Sequence, residues 1–294
     1  MLKTLKKQAV SLLTQIPVTN NYLLARRFSV ELDLIKGIHQ TQNTHPSLLH
    51  FSVNKSATQY VKSIVNRCSA ATGIINVGIH DYAFKSNFPY LDKLSAEEME
   101  AYRHIFKPAG YTYSVFGGMI DGIPDLEEYL VVLMVRDPRD VLVSGYFSIA
   151  YSHVEPALGT EKYDDFLKNR ENAQAMSIDD YAIAQCDAVY ETYNRYKQLL
   201  LDRHPGVYLT RYEDMIDDFE AWLHALINYC QFQVEPSLLD SLMEENEQLR
   251  PSSENVNRHI RKGKAGDYKE KLKAETIDYI ESKLAPILPS FGYA

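Results

Sequence analysis

Residues 129–144 read YLVVLMVRDPRDVLVS, an apolar run followed by a charged turn and a second apolar segment. The first part, Tyr129–Val135, is rich in valine and of strand length, which predicts a strand buried on both faces of a parallel sheet. An aspartate cap and a first-turn proline at 137–138 predict a helix over Pro138–Ser152. Arg136 is therefore expected at the carboxyl end of a strand, the edge where open α/β sheets bind ligands.

Strand-length apolar runs alternate with helix-length segments on both sides of this stretch. The alternation predicts an α/β fold, with a central parallel sheet flanked by helices. We divide the chain into an N-terminal helical extension (1–46) and one α/β domain (47–294). The other predicted strands are Leu48–Val53, Gly73–Ile79 and Val207–Thr210, and the other predicted helices are Thr58–Ala70, Ser95–Phe106, Ser177–Asp202, Asp217–Cys230, Pro236–Leu249 and Ala274–Leu284.

Composition limits the classes of protein to which the chain can belong. The 294 residues carry 31 basic and 39 acidic side chains, a net charge of −8 with histidine neutral. Nucleic-acid binders carry a basic excess, so no nucleic-acid partner is expected. The sequence has no long apolar run and no signal peptide, so we expect no membrane span. Three cysteines without a Cys-x-x-Cys pair favour reduced thiols and a cytoplasmic location.

The turn after the first predicted strand concentrates groups that can bind an anion. It holds Lys55, Ser56 and Thr58 at the start of a helix, where free N–H groups and the helix dipole attract negative charge. The glycines of a Walker A loop are missing. An exposed lysine at a capped helix is the structural alternative.

Two later segments carry a similar charge. Arg136 is followed by Ser144 about two turns into the next helix, and the planar guanidinium suits phosphate. The structural alternative is that Arg136 pairs with Asp140 and that Ser144 serves close packing. The third segment, Arg261–Lys269, has four basic residues in nine within a polar loop, which is a local positive patch or a solvated linker.

Taken in order, these segments resemble the sulfotransferases that use 3′-phosphoadenosine 5′-phosphosulfate (PAPS). The family's P-K-S-G-T-T-W loop corresponds to Asn54–Tyr60, and its R-[ND]-x-x-D-x-x-x-S run matches Arg136–Ser144 throughout. Its R-K-G-x-x-G-D-W-K loop matches Arg261–Lys269 except for a tyrosine in place of tryptophan, and Tyr212–Met215 is identical to its Y-E-D-M. The resemblance spans about residues 48–270 and implies a P-loop-containing nucleoside triphosphate hydrolase-like three-layer fold.

The resemblance also implies a role for each matching residue. Lys55 contacts the 5′-phosphate and the bridging oxygen to sulfur, where it neutralises the leaving group, and no metal is expected. Ala57 and Gln59 depart from the family's glycine and threonine, which restricts the loop backbone. The implied cofactor-binding residues are Lys55, Ser56, Ala57, Thr58, Gln59, Tyr60 and Tyr212 on the 5′-phosphate and adenine side, and Arg136, Ser144, Arg261, Lys262 and Gly263 at the 3′-phosphate.

The general base is the largest departure from the family pattern. Many members carry a K-T-H signature on the strand before the arginine-bearing strand, but Tyr113–Gly118 has no histidine. We expect His80 to be the base because its ordinary pKa is near neutrality, with Asp81 as the second choice. A structural histidine at a strand end is the alternative.

The predicted reaction is transfer of the sulfuryl group of PAPS to a hydroxyl or amino group. The acceptor is a small molecule, a lipid or a saccharide, and the oligomeric state stays open. Two alternatives remain: an inactive nucleotide-binding scaffold, suggested by the altered first loop, and a nucleotide kinase, which would need a Walker A frame and a magnesium ligand that the loop lacks.

Overall fold

A parallel β-sheet forms the centre of the molecule. In the computed structural model, which describes residues 17–38, 41–155, 161–249 and 263–293, five strands form this sheet in the order β2-β3-β1-β4-β5. All four strand pairs are parallel, which confirms the predicted α/β class with a parallel sheet. The strands are β1 Leu48–Ser52, β2 Ile75–Val77, β3 Tyr111–Phe116, β4 Leu130–Val135 and β5 Tyr208–Arg211.

Helices connect the strands and cover both faces of the sheet. They are α1 Pro17–Arg27, α2 Ser29–Ile35, α3 Thr58–Ala71, α4 Ile79–Lys85, α5 Ala96–Met99, α6 Pro138–Phe147, α7 Glu161–Ala175, α8 Ile178–Tyr196, α9 Tyr212–Asp217, α10 Phe219–Tyr229, α11 Pro236–Leu249, α12 Tyr268–Lys271 and α13 Ala274–Leu284. Single 3₁₀ or π turns are Leu91–Lys93, Glu100–Ile105, Leu126–Glu128, Ser148–Ser152, Lys197–Leu201 and Leu288–Phe291.

The register of the central strands determines where the two main basic residues lie. β1 pairs with β4 from Leu48 opposite Leu130 to Ser52 opposite Met134, with all five residues of β1 buried. The two strands therefore end at the same edge of the sheet. Lys55 and Arg136 follow these ends, so the parallel pairing places both cations at the ligand-binding edge.

The sheet separates two apolar layers. Leu49 and Phe51 of β1 face a core that includes Tyr193 and Tyr196 of α8. The alternating residue Leu48 faces the opposite core, which contains the helix α3 and Trp222. β4 is buried in the same way on both faces, which is the reason why it reads as a continuous apolar run, whereas β1 also buries the polar residues His50 and Ser52.

Capping explains the start of the helix that follows the arginine. The Asp137 carboxylate accepts the Arg139 N–H at 2.9 Å, and Pro138 occupies the first turn of α6. At Ser95, where a helix was predicted to begin, a reciprocal cap is present, because the Ser95 N–H donates to Glu98 and the Glu98 N–H donates to the Ser95 hydroxyl. Both helix starts that the sequence indicated are therefore confirmed.

The structure differs from the sequence-based expectation in several elements. The predicted strand Gly73–Ile79 is shortened to β2, since Ile79 begins a helix. The helix expected from Asp217 begins after Asp218, whose carboxylate caps α10 through the Ala221 N–H. Three helices were not predicted from the sequence: α4, α7 and the short α12 inside the late polar loop.

The described part of the N-terminal extension packs onto the sheet domain. Phe28 and Leu34 are buried, and the carboxylate of Glu31 accepts the Gly78 N–H at 2.6 Å. Burial raises the pKa of Glu31 above its ordinary value, with the Gly78 hydrogen bond opposing the rise. The extension thus contacts the turn that leads into α4. Within the described ranges, no helix combines the length and apolar character needed to cross a bilayer.

Candidate active site

The turn between β1 and α3 contains two non-glycine residues in the left-handed region. Lys55 has φ 74° and Ala57 has φ 59°, and Ala57 stands immediately before the first residue of α3. An L-residue with a side chain adopts this conformation at a cost of roughly 1–2 kcal/mol. The turn therefore keeps the backbone path of a glycine-containing loop, although alanine occupies the position where the family has glycine.

The hydroxyl groups of the loop are used to close it. Ser56 Oγ donates to the Val53 carbonyl at 2.5 Å, and Thr58 Oγ1 donates to the same carbonyl at 3.2 Å. Ser52 Oγ lies 3.1 Å from Ser56 Oγ and 2.9 Å from Thr58 Oγ1. Since these hydroxyls are engaged inside the loop, its remaining donors toward an anion are the backbone N–H groups and the Lys55 ammonium.

Arg136 connects three segments of the chain at the edge of the sheet. It is 8% exposed, and its guanidinium donates to the Lys55 carbonyl at 3.2 Å and to the Lys264 carbonyl at 3.2 Å. The same group contacts Asp140 at 3.3 Å and lies 4.4 Å from the ring centre of Tyr212. Its Nε is buried without a hydrogen-bond partner among the described residues. The proposed pair with Asp140 is therefore present, together with contacts to both other basic segments.

Asp140 holds the late loop against this arginine. Its side chain is fully buried, and it accepts the Gly266 N–H at 2.8 Å and the Tyr268 N–H at 3.0 Å. The sequence indicated its pairing with Arg136 one helical turn earlier, but not its contacts with the late loop. We call Lys55, Arg136 and Asp140 the cationic corner.

The Lys55 ammonium has an unusual environment. Burial and the nearby charge of Arg136 lower its pKa to about 8. Among the residues that the structure describes, none forms an ion pair with Lys55. With two cations and one carboxylate, the three residues of the cationic corner carry one net positive charge, while the Glu213 carboxylate also acts on Arg136.

The remaining residues expected at the cofactor lie around this corner. Gln59 is exposed, while Tyr60 is half-buried and stacks on Phe219 at a centroid distance of 6.1 Å. The Tyr60 hydroxyl donates to Asn246 at 3.3 Å, and burial raises its pKa. This ring thus belongs to an aromatic surface on the α10 side of the sheet edge.

Two further expected residues are at the α6 side and in the late loop. Ser144 is half-buried on α6, and a methyl group at the neighbouring Gly145 would meet the Tyr181 hydroxyl at 3.3 Å, as the close-packing alternative expects. Gly263 has φ 64°, a conformation that favours glycine. Arg261 and Lys262 lie outside the described residues.

A cavity of about 260 Å³ opens beside the cationic corner. It begins at Asn54, the residue before Lys55, and is formed by segments that are distant in sequence. Its lining residues are Asn54, His80, Tyr90, Asp92, Lys93, Gly117, Gly118, Met119, Thr192 and Arg195. We call it the His80 cavity.

His80 lies in the first turn of α4 rather than at a strand end. Its ring packs on Tyr90 at 4.9 Å between centroids, and its Nδ1 is 4.0 Å from Asp92 Oδ1. Burial lowers the pKa of His80, and the carboxylates of Asp92 and Asp81 oppose this. The imidazole is therefore neutral near pH 7 and can accept a proton.

Asp81, the second choice as base, lies in a different environment. Its carboxylate pairs with the Lys62 ammonium at 2.5 Å and is not part of the cavity lining. The geometry thus favours His80 over Asp81.

The segment where many family members carry histidine contributes backbone to the same cavity. β3 ends at Phe116, and Gly117 and Gly118 follow it along the cavity wall. An added Cβ at Gly118 would lie 2.5 Å from Asp92 Oδ2. Asp92 was missed by the sequence analysis, because one aspartate between helix-forming segments has no motif around it.

No group of three or more histidine, cysteine, aspartate or glutamate side chains that could hold a metal ion occurs in the described ranges. The three cysteines are buried and unpaired. Burial raises the pKa of Cys68 to about 11, so this thiol is not an activated nucleophile.

Comparison with known proteins identifies the family. The family model described as a sulfotransferase domain matches residues 127–285, more than half of the chain. Among curated proteins, sequence comparison finds no significant match. The structure of the mouse sulfotransferase SULT7A1 complexed with PAP is 15% identical, with 88% of this chain and 89% of that chain covered and a TM-score of 0.51.

Two further solved structures are similar at lower TM-scores. Retinol dehydratase, in complex with androsterone and the inactive cofactor PAP, is 15% identical over 90% of this chain and 87% of that chain, with a TM-score of 0.48. Sulfotransferase STF9 from Mycobacterium avium is 9% identical over 92% and 83%, also with a TM-score of 0.48. The matched family region contains β4, Arg136 and Asp140, and the mouse enzyme shares the fold. The chain belongs to the sulfotransferase domain family.

Proposed function

We propose that the chain transfers the sulfuryl group of PAPS to a hydroxyl or amino group of an acceptor bound in the His80 cavity. One observation carries the proposal. Lys55 and Arg136 are brought together at the ends of adjacent parallel strands, with 3.2 Å between an Arg136 guanidinium nitrogen and the Lys55 carbonyl, and the His80 cavity opens beside them. Sulfuryl transfer requires an anion site next to an acceptor site, and here Asn54, the residue before Lys55, lines the cavity.

The cationic corner fits a ligand with two phosphate positions. Its excess charge and the unpartnered Arg136 Nε leave the corner in need of negative charge and acceptor oxygens. PAPS supplies a transferable sulfuryl group on its 5′-phosphate and a second anion at its 3′-phosphate. The complex of SULT7A1 with PAP supports this choice for a chain of the same fold.

Arg136 and the late loop are proposed to bind the 3′-phosphate. The buried guanidinium is held at fixed orientation by Asp140 and two backbone carbonyls, which prepares it for phosphate oxygens. Ser144, Arg261, Lys262 and Gly263 are expected to complete this group. Tyr212 supports the arginine through its ring, in addition to the expected adenine contact.

The other end of the loop is proposed to bind the 5′-phosphate and the base. Backbone N–H groups of Ala57, Thr58 and Gln59 lie where α3 begins, and a helix start favours phosphate. Tyr60 offers an aromatic face next to Phe219 for the adenine.

Lys55 is proposed to act on the leaving group. The acceptor oxygen or nitrogen forms a bond to sulfur while the bond from sulfur to the bridging phosphate oxygen breaks, and that oxygen keeps the electron pair. A lysine with a pKa near 8 can stabilise this charge as an ammonium or donate a proton to it. The ammonium is thus most useful in the transition state.

His80 is proposed to take the proton that the acceptor loses. Its ring lines the cavity, and burial keeps it neutral near pH 7. The acceptor is a small molecule, a lipid head group or a saccharide, since about 260 Å³ holds a ring or a head group. A cytoplasmic location stays a prediction.

Radiolabelled PAPS incubated with pools of phenols, lipids and saccharides tests the reaction. Transfer of labelled sulfate to an acceptor supports the proposal. Binding of PAPS without transfer to any pool would instead favour the inactive scaffold. Transfer of phosphate from ATP to the same pools would favour the kinase alternative.

Ligand-dependent melting tests the binding part separately. PAP added without metal should raise the melting temperature by several degrees, because a ligand of the native state stabilises by mass action. ATP should raise it less because it lacks the 3′-phosphate. Equal stabilisation by ATP and PAP would contradict the role given to Arg136.

A further inference from the structure

A buried carboxylate on the wall of the His80 cavity has no hydrogen-bond partner for one of its oxygens. The Asp92 side chain is 6% exposed, and its Oδ1 is buried without a partner in the part of the chain that the structure describes. Leaving a charged oxygen unpaired in a protein interior is costly, and such groups in native proteins are normally satisfied. Asp92 therefore needs a donor that reaches it from the cavity side.

The imidazole of His80, which lines the same cavity, is a donor close to this oxygen. Its Nδ1 lies 4.0 Å from Asp92 Oδ1, about 1 Å beyond an ordinary hydrogen bond. Hydrogen bonds in a catalytic site without its ligands are often long and shorten when the reacting complex forms. Tyr90 packs on the ring at 4.9 Å, so the imidazole is held beside the carboxylate.

The opposite wall fixes the position of the carboxylate independently. An added Cβ at Gly118 would lie 2.5 Å from Asp92 Oδ2 and 3.2 Å from its Cβ and Cγ. No side chain fits between the backbone after β3 and this aspartate. Asp92 is thus held against a glycine on one side while its other oxygen faces His80.

We propose that Asp92 is the positioning residue for His80: its carboxylate accepts the Nδ1–H and leaves Nε2 as the nitrogen that takes the acceptor's proton. The hydrogen bond fixes the tautomer and orientation of the ring, and the negative charge stabilises the imidazolium that forms. The catalytic role of this pair rests on the proposed function. The interaction between Asp92 and His80 does not, because it can be measured in the protein without PAPS or acceptor.

Charged groups from several elements face the imidazole. Asp92 and Lys93 come from the 3₁₀ turn after α4, Asp81 lies next to the histidine, and Lys62 comes from α3. Arg195 of α8 lines the cavity opposite. The two carboxylates raise the pKa of His80 and the two lysines lower it, against the background of burial. Removing the Asp92 charge must therefore lower the pKa of His80 further.

The test replaces the carboxylate by an amide of the same shape. The His80 ring signal is followed by NMR in the native protein and in Asp92→Asn as pH varies, without PAPS or acceptor. We expect the pKa of His80 to fall by about one pH unit, since a close charge shifts a neighbour by this order. Asp125→Asn, an exposed aspartate outside the cavity, should leave the titration unchanged.

Kinetics give the second readout. Asp92→Asn should lower kcat about 10–100-fold, the usual effect of losing a group that orients a catalytic histidine. The acidic limb of its pH–rate profile should move to lower pH, while PAP binding and melting temperature stay near native values. Asp92→Glu should recover part of kcat because it restores the charge.

The two proposals fail in different ways. An unchanged His80 titration in a folded Asp92→Asn variant would overturn the role of Asp92, whatever the activity. A drop in melting temperature with no change in the pH limb would also overturn it, because it would show a structural role. Failure of the native protein to bind PAP would refute the proposed function and leave the NMR result standing.

Discussion

The cationic corner and the His80 cavity lie side by side but are built in opposite ways. Each cation of the corner follows a strand of the sheet within three residues, and Asp140 is one helical turn after Arg136. The cavity takes its walls from four separate segments around Asn54, His80–Lys93, Gly117–Met119 and Thr192–Arg195. The anion site is therefore fixed by the sheet, whereas the acceptor site depends on how loops and turns assemble.

This difference implies a division of function. Binding of the sulfuryl donor should depend on the corner and the loops around it but not on the cavity, whereas acceptor activation should depend on the cavity. Lys55 stands between them, because its loop begins at Asn54 on the cavity wall. Variants on either side should then separate donor affinity from turnover.

The largest expected effect comes from the cavity. His80→Ala should lower turnover by about 10²–10⁴-fold, the usual range for loss of a general base. PAP affinity, measured by calorimetry, should stay near the native value because His80 is remote from the phosphates. The exposed His224→Ala is the matched control.

A folded His80→Ala variant with nearly full activity would show that another residue is the base. Acceptor activation would then no longer be assigned to the His80 cavity. Loss of both activity and melting temperature would instead indicate a structural histidine. Recording thermal melts beside the rates distinguishes these outcomes.

Replacing the residue between the two regions should have the next largest effect. Lys55→Ala should lower kcat by about 10²–10³-fold with a smaller change in PAP affinity, because the charge that it meets is largest in the transition state. An increase in the Michaelis constant for PAPS without loss of kcat would contradict the leaving-group role.

The pH dependence sharpens the same prediction. The pKa of Lys55 near 8 lies below its ordinary value, so the ammonium is present below about pH 8 and is lost above it. kcat/KM for PAPS reports the free enzyme and should fall as pH rises through 8. Lys55→Arg should move this basic limb upward, since arginine stays charged.

An intermediate effect is expected in the corner. Arg136→Ala should weaken PAP binding by about 1.5–3 kcal/mol, the scale of a hydrogen bond to a charged group. The remaining kcat at saturating PAPS should change less than the affinity. Arg136→Lys keeps the charge but loses the planar fork, so it should recover only part of the affinity, as titration calorimetry can measure. Equal losses in kcat and in PAP affinity would contradict the proposed separation of donor binding from acceptor activation.

The smallest expected effect concerns the left-handed turn. Ala57→Gly should stabilise the protein by about 0.5–1 kcal/mol, because relief of strain at φ 59° exceeds the added entropy of the unfolded chain. Chemical denaturation measures this difference. A loss of stability would mean that the methyl group packs usefully against its neighbours, so the family's glycine would not be the better residue here.

The sequence was most informative where one element carries the whole signal. The apolar run before Arg136 and the cap at Asp137 predicted β4 and α6, because burial and capping are local in the chain. The resemblance implied backbone or hydroxyl contacts from Ser56 and Thr58 to the phosphate, and in the structure both hydroxyls donate to the Val53 carbonyl. The spacing of residues in the sequence does not show whether a hydroxyl donates to a phosphate oxygen or to the Val53 carbonyl.

Only part of the His80 cavity could be predicted from the sequence. His80 was identified as a titratable residue after the first helix. The helix α4 that carries it was not predicted, because seven residues are too few to show a helical repeat of apolar side chains. Asp92 was missed since its importance depends on contacts with His80 and Gly118, which are distant in the chain. Tertiary packing, not local preference, determines such groups.

The strand order has a consequence for how the protein is made. β1 is the middle strand, and its neighbours β3 and β4 are completed only at Phe116 and Val135. During synthesis the first half of the anion site leaves the ribosome long before the strand that carries Arg136. Parallel pairing between distant segments forms slowly, and an unpaired apolar strand is prone to aggregation. Chaperone dependence of the nascent chain should therefore end only after residue 135 has emerged.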